Sequence, residues 1–405
     1  MSMMNMIRVC AVLGAGMTVC TGTVTAPLPV SCAVCAAETV TGGSCGKDAV
    51  WTLDSDGTLT VSGTGKMYGL NSQYAIPWAE EKDSIRQVVI GKGITNVGGQ
   101  CFSECRNLTS VSLSDTVTSI DESAFSNCVS LTSVNIPDSV SNIATFAFVS
   151  CKSLKDITFP PSVASIGSLA FSGTPWLKDA AAQSPYVTIN GLLIYGPDTA
   201  EAVIPAGVTT VVSNSFYGRT GIRKLTIPDT VTVIEYNSFV GCSGLECVEI
   251  PDSVTELGMQ AFAQCTALAE VTVLNPDCRI FSRANTFAND SKTYSGVIKG
   301  YDGSTAEAYA AQYGYQFESL GPAPLRGDVS RNGEIGADDA QMTLKAYVNM
   351  LADKESGLTD IQLKVADVDG DGAVTATDAQ MILKYYVNTL AGKEVTWEQL
   401  LPKKE

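Results

Sequence analysis

The sequence predicts an α+β protein in two parts. A solenoid of parallel strands sits behind an N-terminal β cap, and a small all-α domain with paired oxygen-rich loops follows. Two observations carry this reading. Apolar and aromatic residues return every 23 positions from Ile94 onward, and a loop-helix unit near the end is written twice, 39 residues apart. A third observation bounds the function: the 405 residues carry a formal charge of −16 and no histidine. A chain with a pI near 4.5 lacks the basic face needed to displace counterions from a nucleic acid. Without imidazole, Ser-His-Asp and Cys-His nucleophile systems, His-bound zinc and imidazole acid–base catalysis are excluded together.

Residues 1–37 read as an export signal. Arg8 is their only charge, the apolar run Val9–Val19 follows it, and the small residues Ala33 to Ala37 offer a cleavage site. The run is too short to cross a bilayer. Cys20 follows Met17-Thr-Val rather than the small residues of a lipoprotein signal. The expectation is a secreted, extracellular protein with no membrane span. Residues 38–93 read as the β cap, because Ala49 to Ser62 alternates apolar and polar around the turn Asp56-Gly57.

Residues 94–320 read as the solenoid with its C-terminal cap. Ile94, Val117, Val140 and Val163 head successive units, Phe102, Phe125, Phe148 and Phe171 recur in step, and so do Leu108, Leu131, Leu154 and Leu177. The pattern resumes with Val208, Val231 and Val254 and with Phe216, Phe239 and Phe262. Each unit carries one short strand, as in Leu131-Thr-Ser-Val134-Asn-Ile136-Pro137. A period in the twenties with one strand per unit indicates a leucine-rich-repeat solenoid, in which no unit buries its apolar side alone. The phrase Ser123-Ala-Phe125-Ser-Asn-Cys128-Val-Ser-Leu131 through Pro137 resembles the BspA-like leucine-rich repeats of bacterial surface and secreted proteins. The resemblance covers about 40–320. The stretch Pro185–Gly207 departs from the period and reads as a distorted repeat with a hairpin insert. Val297 to Tyr313 reads as a closing strand and short helix, and a Pro-containing linker occupies 321–326.

Thirteen cysteines need an account in an exported chain. Cys105, Cys128, Cys151, Cys242 and Cys265 share one repeat position, where Thr174 and Thr220 fill other units. A small residue beneath the next coil is a packing requirement, so buried free thiols are the expectation. Local pairs Cys101–Cys105 and Cys242–Cys247 stay open as alternatives. Strand alternation leaves an open face of Ser110, Ser112, Ser133, Asn135, Asp156, Thr158, Lys224, Thr226, Cys247, Glu249, Glu270 and Thr272. It has mixed charges and no aromatic row, which suits a protein ligand or plain solvent better than a glycan.

Two twelve-residue loops lie in 327–405. In the first, Asp328, Ser330, Asn332 and Asp339 stand at positions 1, 3, 5 and 12, with Gly333 at 6 and Glu334 at 7. In the second, Asp367, Asp369, Asp371 and Asp378 hold the same places, with Gly372 and Ala373. This is the calcium-loop register of an EF-hand: alternate oxygens converge on a hard cation, position 7 gives its carbonyl, and Ile335 or Val374 at 8 anchors the loop. Position 12 is Asp where an EF-hand has Glu. Pro322 and Pro324 before the first loop remove the entering helix.

The helices after the loops nearly copy each other, Gln341 to Ala352 matching Gln380 to Ala391. The tandem loop-helix units resemble the type I dockerin family over about 327–395. That resemblance implies two Ca²⁺ sites and a cohesin module of a scaffoldin as partner. It carries cohesin contacts onto Ala337, Asp338, Gln341, Lys345 and Asn349, and onto Ala376, Thr377, Gln380, Lys384 and Asn388. Helical spacing predicts that Leu344, Tyr347, Val348 and Leu351, with Leu383, Tyr386, Val387 and Leu390, form the buried stripes. The function expected is that of a non-catalytic repeat protein anchored to a polysaccharide-degrading, cellulosome-type complex. Two alternatives remain beside it: a carbohydrate-active or carbohydrate-binding component, and a free adhesin with a structural calcium domain.

Overall fold

Alternating side chains make the first strands. In the computed structural model, which describes residues 38–69, 76–289 and 293–401, β1 (Thr39–Ser44), β2 (Gly46–Asp54) and β3 (Thr58–Met67) form an antiparallel cap. Trp51 stands opposite Val61, and Leu53 opposite Leu59, all buried. Gly57 turns the hairpin at a φ of +83°, and a Cβ there would meet the Ser84 carbonyl at 2.6 Å. The expected export segment 1–37 lies outside the described residues.

β3 then pairs in parallel with Gln87–Ile90, which starts the solenoid. Ser110–Leu113, Ser133–Asn135 and Asp156–Thr158 continue that sheet. Each unit also carries a second strand of two residues. Asn96–Val97, Ser119–Ile120, Asn142–Ile143 and Ser165–Ile166 form a separate parallel sheet. The expectation of one strand per unit is corrected here, since two residues are too few to show a period in sequence. Partners in both sheets stand one repeat apart, as Ser110 with Ser133 and Ser119 with Asn142.

Inside, the phenylalanines stack. Ring centroids lie 5.4, 5.3 and 5.6 Å apart from Phe102 through Phe125 and Phe148 to Phe171. Trp78 heads this column, stacked on Phe102 at 5.2 Å with its indole N–H donating to the Cys101 carbonyl at 2.7 Å. Stacked pairs of this kind contribute about 0.5–1.5 kcal/mol beyond their burial. The cysteine ladder runs beside it. Cys128 Sγ and Cys151 Sγ donate to the carbonyls of Phe102 and Phe125, both at 3.1 Å. All nine described cysteines are free, and Cys247 alone among them is exposed. Neither local pair left open by the sequence is bridged. Burial pushes the Cys105 thiol up to about 12, so it holds its proton at neutral pH.

The turns that carry the phenylalanines repeat a left-handed backbone. Gln100, Ser123, Phe146 and Leu169 have φ of 58°, 56°, 58° and 52°. This conformation is costly for residues with a Cβ. It aims alternate amides at the next turn: Phe102 N bonds Ala124 O, Phe125 N bonds Ala147 O and Phe148 N bonds Ala170 O, at 2.8–2.9 Å.

After Phe171 the column breaks. A helix α1 (Pro175–Gln183), capped by Thr174 Oγ1 accepting from Leu177 N, leaves the coil. The antiparallel pair Val187–Ile189 and Leu192–Tyr195 follows, the hairpin insert that the sequence predicts. Two new six-stranded sheets then start, and Phe216, Phe239 and Phe262 stack again. Val297–Asp302 and α2 (Thr305–Tyr313) close the core with Ala306, Tyr309 and Ala310 buried. The strand Gln316–Pro322 pairs with Val297–Asp302 and runs into the stretch read as a linker.

Two outcomes follow from this packing. Phe148→Ala, which removes a ring held between two others, is expected to cost about 3–5 kcal/mol, read as a lowered urea midpoint for the solenoid. Iodoacetamide on the native protein is expected to label Cys247 and leave Cys105, Cys128, Cys151, Cys242 and Cys265 until denaturant is added, as peptide mass mapping would report.

Candidate functional site

The second part of the chain builds a helix pair on two loops. α3 (Ala337–Leu351) leaves the first loop and α5 (Ala376–Leu390) the second. α4 (Asp360–Ala366) leads into the second loop, so an entering helix is present there, and α6 (Trp397–Leu400) follows α5. Thr359 caps α4 and Gln362 returns the bond, a start signal hidden by the shortness of the helix. The loops anchor as expected at position 8, Val374 being buried and Ile335 packed against the same core.

Carboxylates shape each loop from within. Asp328 accepts from Asn332 N at 3.1 Å and Gly333 N at 2.8 Å, and Asp339 accepts from Ser330 N and Gly336 N, both at 2.7 Å. In the second loop Asp367 accepts from Gly370 N and Gly372 N at 2.8 and 2.9 Å. Asp378 accepts from Val368 N at 3.0 Å and Thr375 N at 2.8 Å. Asp339 and Asp378 are fully buried. The short position-12 side chain thus ties both ends of its loop to the first turn of the following helix.

The second loop fits a hard cation. Carboxylate oxygens of Asp367, Asp369 and Asp371 lie within 4.8 Å of one another, close enough to share one ion at about 2.3–2.6 Å. Burial, with Asp378, Asp371 and Asp367 nearby, raises the Asp369 carboxyl above its ordinary range. A divalent ion offsets that repulsion. In the first loop Ser330 and Asn332 replace two of the acids, so its oxygen set carries less charge. Glu334 and Ala373 stand at position 7, where the backbone carbonyl is the donor.

The helix faces correct one expectation. Leu344, Val348 and Leu351, read as a buried stripe, are exposed, as are Leu383, Val387 and Leu390. Val348 and Val387 are 54% and 55% exposed and Leu351 and Leu390 67% and 70%, so the two copies present equal surfaces. The interior is filled instead by Ala340, Thr343 and Ala346 of α3 and by Ala379, Met381 and Ile382 of α5. Tyr347 and Tyr386 are half-buried. Tyr347 lines a pocket with Gly372 to Thr375 of the second loop, and Tyr386 one with Gly333 to Ile335 of the first.

Gln341 and Lys345 flank the apolar stripe of α3 in the open, and Gln380 and Lys384 that of α5. Ala337 and Asp338 are exposed at the start of α3, and Ala376 and Thr377 half-exposed at the start of α5. Asn349 and Asn388 are less free, their amides donating to Ser356 O at 3.2 Å and Lys384 O at 2.8 Å. On the solenoid, the open strand face is polar as read, with Lys299 joined to Glu270 and Glu318 at 3.0 and 3.2 Å. Among the described residues no helix is long and apolar enough to cross a membrane.

The family model described as BspA type leucine rich repeat region matches residues 80–199 and 188–294, in six copies, and the one described as dockerin type I domain matches 326–388. A leucine-rich repeat protein from Eubacterium ventriosum is 24% identical, with 65% of this chain and 79% of that one covered and a TM-score of 0.40. One from Bacteroides ovatus is 19% identical over 58% of this chain and 66% of that one, with a TM-score of 0.33. A leucine-rich repeat protein of T. pallidum is 23% identical over 48% and 86%, at a TM-score of 0.29. Among curated proteins, none matches significantly.

Proposed function

We propose a function from the premise that the chain belongs to the BspA-type leucine-rich repeat family and carries a type I dockerin domain. It is a secreted binding component, anchored through its dockerin to a cohesin module of a scaffoldin and displaying its repeats on a cell-surface, polysaccharide-degrading complex. Type I dockerin domains bind calcium, and leucine-rich repeats serve protein binding. On this reading the role has no catalytic part, which is supported by both matched families being non-catalytic.

One observation carries the anchoring role: the duplicated apolar stripe left exposed on α3 and α5. A soluble domain rarely leaves such rows uncovered unless a partner covers them. The cohesin face on this reading comprises Leu344, Val348 and Leu351 with Ala337, Asp338, Gln341, Lys345 and Asn349. Its copy comprises Leu383, Val387 and Leu390 with Ala376, Thr377, Gln380, Lys384 and Asn388. Because the copies match, either can make the main contact, with the domain turned by half a rotation. Two calcium ions hold the faces in place, one on Asp328, Ser330, Asn332, Asp339 and the Glu334 carbonyl, the other on Asp367, Asp369, Asp371, Asp378 and the Ala373 carbonyl.

Calorimetry of the full chain against a panel of cohesins is expected to give tight binding that chelation abolishes. Val348→Asp or Val387→Asp alone is expected to weaken it less than about tenfold, and the pair to remove it, since the intact face replaces the damaged one. Failure to bind any cohesin while calcium still binds would sink the anchoring role. Calcium titrations of Asp328→Ala and Asp367→Ala chains are expected to place the weaker site in the first loop, which has fewer carboxylates. Equal affinities would contradict that assignment.

A further inference from the structure

The break in the phenylalanine column opens a cleft of 1020 Å³ on the flank of the solenoid. On one wall stands the turn of Leu169 to Gly173, the last of the first block, and on the other the turn of Ser213 to Arg219, the first of the second. In the preceding turn Phe146 N, Phe148 N and Ser150 N donate to Ser168 O, Ala170 O and Ser172 O. Their equivalents one repeat later are Leu169 N, Phe171 N and Gly173 N. Among the described residues none of these three amides has an acceptor, and all three residues line the cleft. Leu169 and Gly173 have φ of 52° and 76°, the same left-handed positions that in the preceding turns aim alternate amides to one side, where they suit anionic oxygens.

Side chains add to this. Lys152, Lys155, Lys178 and Arg219 line the cleft against a single carboxylate, Asp179, in a chain of net charge −16. Among the described residues none of the four cations is within ion-pair distance of a carboxylate. Arg219 is held in place, its Nε donating to Gly196 O at 3.0 Å and its guanidinium lying 4.5 Å over the Tyr195 ring. Ser215 Oγ, on a residue 2% exposed, has no hydrogen-bond partner. Tyr217 stands open at the rim.

We infer that this cleft is a docking site for an extended acidic segment of a partner protein. In the turns at 100–104, 123–127, 146–150 and 237–241 the complement of these amides is a row of peptide carbonyls at alternate residues, which favours a polypeptide over other anions. Its carbonyls take the amides of Leu169, Phe171 and Gly173, and its carboxylates meet Lys152, Lys155, Lys178 and Arg219. This deepens the reading of the repeats as a protein-binding surface and rests on it, moving the contact from the polar strand face to the break.

The test uses the full chain and a fluorescein-labelled peptide of alternating Glu and Val, about ten residues long, so that it stays extended. Fluorescence polarisation is expected to show salt-sensitive binding, and deuterium exchange to slow at 169–173. Lys155→Glu with Lys178→Glu, both at exposed positions, is expected to weaken binding at least about tenfold, with circular dichroism unchanged. Lys224→Glu on the strand face is expected to leave it unaltered. Binding lost on Lys224→Glu but kept in the cleft variant would overturn the cleft while sparing the repeats as a protein-binding surface. No binding, or binding of a uronic-acid oligosaccharide in place of the peptide, would overturn the proposal outright. Cohesin binding is measured separately and stands or falls without it.

Discussion

Each turn of the solenoid is completed by its neighbour, and the rest of the molecule follows from that dependence. A turn such as 146–150 gives its alternate amides to the carbonyls of the next turn and its phenylalanine ring to the next ring. Neither contact exists within a single unit, so stability accumulates only along the stack. The same rule explains the cysteines. Their position packs against the neighbouring coil, and their thiols give a second, interturn bond to the Phe102 and Phe125 carbonyls, which already accept the Cys105 and Cys128 amides. The cost is a left-handed backbone at residues with a Cβ, repeated in unit after unit because the interturn bonds demand it.

A stack of this kind needs something at both ends and at any interruption. Trp78 and the β cap cover the first layer, and α2 with Tyr309 covers the last. The interruption after Phe171 is covered only in part. Trp176 and Phe159 meet the Phe171 ring edge-on, where another stacked phenylalanine would otherwise lie. The hydrophobic side is thereby closed, but the amides of the same turn are left over. Burial and hydrogen bonding, which coincide in turns such as 100–104, 123–127 and 146–150, separate here.

What the sequence revealed depended on spacing. The phenylalanine, leucine and cysteine columns, the hairpin at Asp56-Gly57 and both oxygen-rich loops were legible because each is a fixed interval between residues of distinctive chemistry. The second sheet was not, because strands such as Ser119–Ile120 are too short to alternate. Helix α1 was hidden by the irregularity around it, though Thr174-Pro175 is a recognisable helix start. For α3 and α5 the period was right and the inference from it was not. Helical spacing identifies an apolar stripe but not what covers it, and Ala340, Thr343 and Ala346 had already filled the interior. Small residues there let the helices approach closely and leave Leu344, Val348 and Leu351 on the outside.

That arrangement links the loops to the helix faces through two buried side chains. Asp339 and Asp378 sit at the last position of their loops and in the first turn of their helices at once. Each carboxylate reaches back to the start of its loop and to the residue before its helix. A loop that loses its shape therefore releases the N-terminus of the helix, and with it the angle at which the stripe is presented. The negative charge also sits at the positive end of the helix, where it stabilises the first turn. The calcium dependence proposed for partner binding then needs no contact between ion and partner. It is a property of a helix whose first turn is made from the metal loop.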